Sequence, residues 1–323
     1  MIGINHCGRA IGEENCDCGE WVKWDCWAHY IARNDEISFV LEYLLYLCAN
    51  FLRMLNYKVI GNNPDNRWVV MVHGAGGSIE VWFRQVPDFA RHFNLLLVDL
   101  AGHGGSVGDV FRGGLNFEKV ADQVMEVVDA VGIEKSHFMG LSLGSIIVRV
   151  IAERYAERVE SMVLAGAVTK LNARTRMLIR MVDMFKNIIP YRLMKWLIAR
   201  VIIPQRKYAK SKYLFLKNAQ KLSFESFLEW MQLGDNISRK MADLFSKRVL
   251  IPTLYLMGEN DHLFLAQASA AARDGGDLVS MVVVPNAGHI CNVDNKSFFN
   301  RMAKGPKPNR PIPPKKPKSP RRR

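Results

Sequence analysis

From residue 57 onward, short apolar runs alternate with longer stretches whose apolar positions recur every three or four residues. The runs at 68–73 (WVVMVH), 95–99 (LLLVD), 136–140 (SHFMG), 161–165 (SMVLA), 253–257 (TLYLM) and 280–284 (SMVVV) lack the strict alternation of a half-exposed strand. Short continuous runs of this kind fit strands covered on both faces, as in a parallel sheet. Between them, 117–131 (FEKVADQVMEVVDAV), 143–156 and 263–273 carry helical spacing. Strand, helix, strand in repetition predicts an α/β fold with a mostly parallel central sheet flanked by helices.

The alternation lapses between about 169 and 247, where the chain is helical in character (RTRMLIRMVDMF, YRLMKWLIARVII, FESFLEWMQL) and broken by Pro190 and Pro204. An insertion of helices at that point predicts a cap over whatever the sheet presents. The domain is therefore expected to span 56–302, with its cap at 169–247. Residues 303–323 are Pro-rich and basic, with no apolar pattern to fold around, and predict a disordered tail. Residues 1–55 read as an extension of doubtful role. Within it, 37–55 (ISFVLEYLLYLCANFLRML) is apolar almost all round, the pattern of a helix that is buried or lies at a membrane interface. Two explanations stay open for 1–53: an appended leader, or sequence upstream of a true start at Met54.

Charge sharpens this division. The 323 residues carry a formal net charge of +13. Residues 170–221 hold fourteen Lys/Arg against the single acid Asp183, and 303–323 hold nine with no acid. The remainder is net acidic, so the basic character belongs to one insert and one tail. Five of the six cysteines fall in the first 48 residues. Cys7, Cys16, Cys18 and Cys26, with His6 and His29, lack the paired spacing of structural zinc sites, so no metal is expected. No apolar run reaches the roughly 18–20 residues of a bilayer span, which excludes a polytopic membrane protein. The N-terminus has no secretory signal pattern, which makes a cytoplasmic location, at most peripheral to the inner membrane face, the expectation.

The chemistry gathers at three turns. Gly140-Leu141-Ser142-Leu143-Gly144 stands between a strand and a helix, the context that makes G-x-S-x-G a strong signal. A tight turn there lifts the Ser142 hydroxyl above the sheet edge, and Leu143 opens the helix with an unpaired N–H able to bind developing negative charge. After the strand at 68–73, the turn His73-Gly-Ala75-Gly76-Gly-Ser78 can aim a second N–H at the same place, from Ala75 or, failing that, Gly76. Trp82 is a candidate wall of the acyl pocket. Asp261 follows the strand at 253–257, with Glu259 beside it, and His289 follows the strand at 280–284.

With these motifs in the order Ser142, Asp261, His289, the chain resembles the α/β-hydrolase superfamily over about 57–299, the insert standing where that family carries its lid. The resemblance implies Ser142 as nucleophile, His289 as general base and then acid, and Asp261 as the group that orients His289. It also implies a structural role for the D-x-x-G-x-G-x-S loop from Asp99 to Ser106. Asp294 stands near the place where the family commonly has a glutamate. His73 reads as a residue of the oxyanion turn and His103 as one of the pocket loop, while Glu259 and Asp294 are lesser candidates for the acid.

The expected reaction is hydrolysis of a carboxylic ester or thioester through an acyl-enzyme, on a small-molecule acyl substrate and with no cofactor. One alternative is a C–C bond hydrolase or proton-abstracting lyase, its carboxylated substrate held by Arg174, Arg176, Arg180 or Arg192; inward-pointing guanidinium groups are the condition for it. A third reading is association with an anionic membrane surface through the basic cap and tail, as a lipid esterase or binding protein. No specific nucleic-acid partner is expected, because no recognition module accompanies the basic tail.

Overall fold

The computed structural model describes residues 54–106 and 115–305, those at 232–240 by their backbone alone. The expectations for residues 1–53, including the cysteine-rich segment, and for the tail beyond 305 lie outside the described residues. Leu55 is buried in the core, so it belongs with the folded domain rather than with the extension.

Seven strands form one sheet in the order β1-β3-β2-β4-β5-β6-β7. They are β1 (Tyr57–Ile60), β2 (Trp68–Val72), β3 (Asn94–Val98), β4 (Ser136–Leu141), β5 (Val159–Ala165), β6 (Thr253–Gly258) and β7 (Val279–Val284). All neighbours run parallel except β1, which pairs antiparallel with β3 through Tyr57↔Val98 to Ile60↔Leu95. β1 has no buried run to announce it. Its residues are exposed or half-exposed, as an edge strand's can be.

The central strands show why alternation is missing from the sequence. Val70 and Val72 of β2 and Leu96 and Val98 of β3 enter one core, while Val69, Met71, Leu95 and Leu97 enter another on the opposite face. Successive side chains point to opposite faces, and both faces are covered, so every position is apolar. Each such side chain contributes about 1.5–3 kcal/mol on burial. Helices α1 (Val86–Phe89), α2 (Phe117–Ala130) and α3 (Leu143–Arg154) follow β2, β3 and β4. Asn116 caps α2 by accepting the Lys119 N–H at 2.7 Å, and one face of α2 packs Val120, Val124 and Val127 into the first core.

Between β5 and β6 lie four helices: α4 (Ala173–Phe185), α5 (Tyr191–Ile202), α6 (Ala209–Ala219) and α7 (Phe224–Ser246). Helix α6 had no counterpart in the sequence reading. Its fully buried residues are Ser211, Asn218 and Ala219, small or polar, and its inward apolar pair Leu214 and Phe215 is only partly covered, so the apolar stripe that marks it is short. The chain closes with α8 (Leu265–Asp274) after β6, then β7, α9 (Cys291–Asp294) and α10 (Lys296–Ala303). Because β2 to β7 are parallel, the turns after β2, β4, β6 and β7 all open at one edge of the sheet. Ligands of open α/β sheets bind outside the carboxyl ends of the strands, at this edge. Among the described residues, no helix is long and apolar enough to cross a membrane.

Candidate active site

Ser142 sits on the strained turn between β4 and α3, at φ 53° and ψ −116°, a conformation costly for any residue with a side chain. The flanking glycines are required by close approach. A Cβ on Gly140 would lie 2.3 Å from the Gly144 carbonyl oxygen, and one on Gly144 would lie 2.3 Å from that of Val72. The Ser142 N–H donates to Ala165 O at 2.9 Å, which ties the turn to β5.

The turns after β6 and β7 bring two more groups to the serine. His289 Nε2 lies 2.9 Å from Ser142 Oγ, and His289 Nδ1 lies 2.8 Å from Asp261 Oδ2. With Asp261 ionised, the hydrogen-bond pattern puts the proton on Nδ1 and leaves Nε2 to accept from the serine hydroxyl. The other oxygen of Asp261 accepts the N–H groups of Leu263 at 3.2 Å and Phe264 at 3.1 Å. Burial by itself would raise the Asp261 pKa; attraction to His289 and the hydrogen bonds outweigh it and hold the carboxyl below its ordinary value.

The rival acids are used elsewhere. Glu259 Oε2 accepts the N–H of Asn286 at 2.9 Å, in the turn that leads to His289. Asp294 accepts the Gly288 N–H at 2.8 Å and is hydrogen bonded by Ser211 of α6. His262 is exposed.

His73 and His103 are buried and lie outside this relay. The His73 ring accepts the Leu100 N–H at Nε2 (2.9 Å) and donates from Nδ1 to Gly74 O (2.8 Å). His103 accepts the Gly76 N–H at Nε2 (2.9 Å) and donates from Nδ1 to Ala101 O (3.0 Å). Both rings are neutral in this pattern. Burial lowers the pKa of each, and for His103, with His73 adding to the effect, it falls to about 3. Asp99 binds the same region together by accepting from Ile79 N–H (2.7 Å), Asn56 Nδ2 (2.7 Å) and Gly105 N–H (2.8 Å).

Gly76 therefore cannot serve as the spare oxyanion donor, because its N–H is taken by His103, and it does not line the cavity. The N–H groups of Ala75 and Leu143 have no acceptor among the described residues. Trp82 does not wall the acyl pocket. It is fully buried in the second core, and its neighbour Val81 reaches the cavity instead.

The cavity holds about 60 Å³ and is bounded by Gly74, Ala75, Ser142 and His289 on the sheet side. Ile202 of α5 and Leu214, Phe215 and Asn218 of α6 line it from the insert. These four escaped sequence reasoning, since nothing local distinguishes them from other residues of the insert. Asn218 is 2% exposed, and its Oδ1 has no hydrogen-bond partner. Arg174, Arg176, Arg180 and Arg192 are exposed and none lines the cavity, so the condition set for a carboxylate-holding insert is not met. Among the described residues, no group of three or more His, Cys, Asp or Glu could hold a metal ion.

The family model for the alpha/beta hydrolase fold matches residues 67–221. Over that stretch the chain matches the α/β-hydrolase family, and its sheet and flanking helices have that family's fold. A relative from Pantoea ananatis, RutD, named as a candidate carbamate hydrolase, is 29% identical over 261 residues, covering 76% of this chain and 90% of its own. Among solved structures, the enol-lactonase of Burkholderia xenovorans LB400 superposes with a TM-score of 0.63 at 20% identity, covering 77% of this chain and 95% of that one. Est816, described as degrading N-acyl homoserine lactones, gives a TM-score of 0.65 at 21% identity, with coverage of 78% and 96%. At such identities the two structures speak for the fold alone.

Proposed function

We propose that this α/β hydrolase cleaves a small carboxylic ester or thioester through an acyl-enzyme formed on Ser142. The observation that carries the reading is the unbroken hydrogen-bonded line from Asp261 through His289 to Ser142 Oγ, at 2.8 and 2.9 Å. Ser142 Oγ attacks the acyl carbonyl while His289 Nε2 takes its proton, and Asp261 stabilises the imidazolium that results. The oxyanion settles on the N–H groups of Ala75 and Leu143, preorganised donors that need no rearrangement as charge develops. His289 then protonates the leaving alkoxide or thiolate, and water, activated by the same imidazole, releases the acid. Rapid mixing with p-nitrophenyl acetate tests the reading. A burst of nitrophenol equal to the enzyme concentration, abolished in Ser142→Ala, is expected; hydrolysis undiminished in that variant contradicts it.

One observation favours a carbamate as a second substrate class, that named for the Pantoea relative. The unpartnered Oδ1 of Asn218 would be satisfied by an N–H on the acyl group. p-Nitrophenyl carbamate and acetate differ by NH₂ for CH₃, nearly the same shape. Asn218→Leu should lower the ratio of their acylation rates by about tenfold, the cost of leaving a buried polar group unpaired. An unchanged ratio removes the carbamate reading and leaves the ester reading standing.

A further inference from the structure

Two helices of the insert turn an apolar stripe toward solvent. On α4 the exposed residues include Met177, Met181 and Met184, continued at Ile188 just past its end, a spacing of four, three and four that keeps one helical face. On α5 they are Leu193, Trp196, Leu197 and Val201, again on one face. The opposite faces are satisfied: Val182 and Met194 are buried with Leu222 and Phe227 in a small core of the insert's own. The stripes are thus surplus to the packing of the domain. Met184 and Ile188 are 68% and 74% exposed, where a core-facing residue is nearly covered. Contiguous exposed apolar surface of this kind marks an interaction site.

Charge decides the partner. Arg174 and Arg180 on α4 and Arg192 on α5 are exposed, and among the described residues none has an acidic partner. The whole stretch 170–221 holds Asp183 as its one acid, and that is paired with Lys186. Apolar stripes that include a tryptophan, flanked by unpaired cations, match the two layers of an anionic bilayer surface: acyl boundary for the stripes, phosphate for the arginines.

We propose that the solvent face of α4 and α5 docks the enzyme on anionic lipid. This is independent of the reaction assigned to Ser142. It places contact with lipid on the same insert whose α5 and α6 residues line the cavity. A substrate arriving from the membrane would therefore meet the element that bounds the site.

Co-sedimentation of the full chain tests this, with vesicles of phosphatidylcholine alone and with a third phosphatidylglycerol. Binding to the anionic vesicles is expected, weakened at high salt. It should fall about tenfold or more in an Ile188→Glu, Trp196→Glu double variant, since both charges must enter the acyl boundary. Both sites are exposed, so unchanged hydrolysis of a water-soluble ester in the variant reports intact folding. Quenching of tryptophan emission by brominated lipid, lost in Trp196→Phe, supplies a second readout that tail-driven attraction would not give. Anionic binding that survives the double variant, or absence of binding to either vesicle, overturns the proposal. So does concentration-dependent self-association abolished by the double variant, with no vesicle binding, for the stripes would then meet a second copy.

Discussion

The carboxyl edge of the sheet and the helical insert meet at one cavity but are built on different terms. At the edge, the side chains have fixed partners: Asp261 is held by His289 and two N–H groups, His103 by Gly76 and Ala101, and Asp99 by three donors. In the insert, the Asn218 Oδ1 is unpartnered and the apolar faces of α4 and α5 stay in solvent. The contrast teaches where chemistry and selectivity reside. Reacting groups must be held within fractions of an ångström, so their surroundings are closed and satisfied. Unsatisfied groups are left where a substrate or a surface completes them.

If that division holds, substitutions at the edge change rate by orders of magnitude and those in the insert change preference. Ser142→Ala should have the largest effect, a loss of about 10³-fold or more in kcat/KM for p-nitrophenyl acetate, since the nucleophile is gone while the cavity remains. Asp261→Asn should follow with about 10²–10⁴-fold in kcat, because the amide no longer enforces the tautomer of His289 or stabilises its cation. Parity between Asp261→Asn and the parent, with Glu259→Gln or Asp294→Asn crippled instead, would reassign the acid.

Next in size is a stability effect that belongs to the edge alone. His103 is held neutral with a pKa of about 3, whereas an unfolded histidine titrates near about 6.5. Between those values the unfolded chain takes up a proton that the folded one refuses. The contribution of His103 is therefore fully present above about 6.5 and is lost as pH falls toward about 3. His73, also lowered by burial, acts in the same direction. Urea midpoints measured from pH 7 downward should fall less steeply in His103→Gln than in the parent, by up to one proton in the linkage slope. Identical slopes would mean that His103 takes up its proton in the folded chain at the same pH as in the unfolded one.

The smallest expected effect lies in the insert. Asn218→Leu should leave hydrolysis of the acetate ester within a few-fold of the parent while shifting the carbamate preference. A collapse of both rates would place Asn218 with the edge and blur the distinction between the regions.

The same contrast governs what could be read from the chain. G-x-S-x-G, the glycine turn after β2 and the Ser142, Asp261, His289 order were legible because strained turns and close backbone approach demand particular residues in particular places. The strand runs were legible because both sheet faces are covered. Trp82 misled, since its position four residues past Ser78 of the glycine-rich turn says nothing about whether it faces core or cavity, and the core took it. Gly76 misled because its N–H is committed to a histidine 27 residues away in sequence. Helix α6, with Asn218 and Phe215, was hard to see because its fully buried residues are serine, asparagine and alanine and its inward apolar pair, Leu214 and Phe215, is only partly covered. Tertiary placement, not local pattern, made those residues part of the site.

The most direct test of the central claim is the intact mass of the full chain before and after a fluorophosphonate probe, beside Ser142→Ala. The account predicts a single adduct on the parent and none on the variant, since only a hydroxyl activated by His289 reacts. A folded parent that takes no adduct, or a variant that takes the same one, would contradict an activated Ser142.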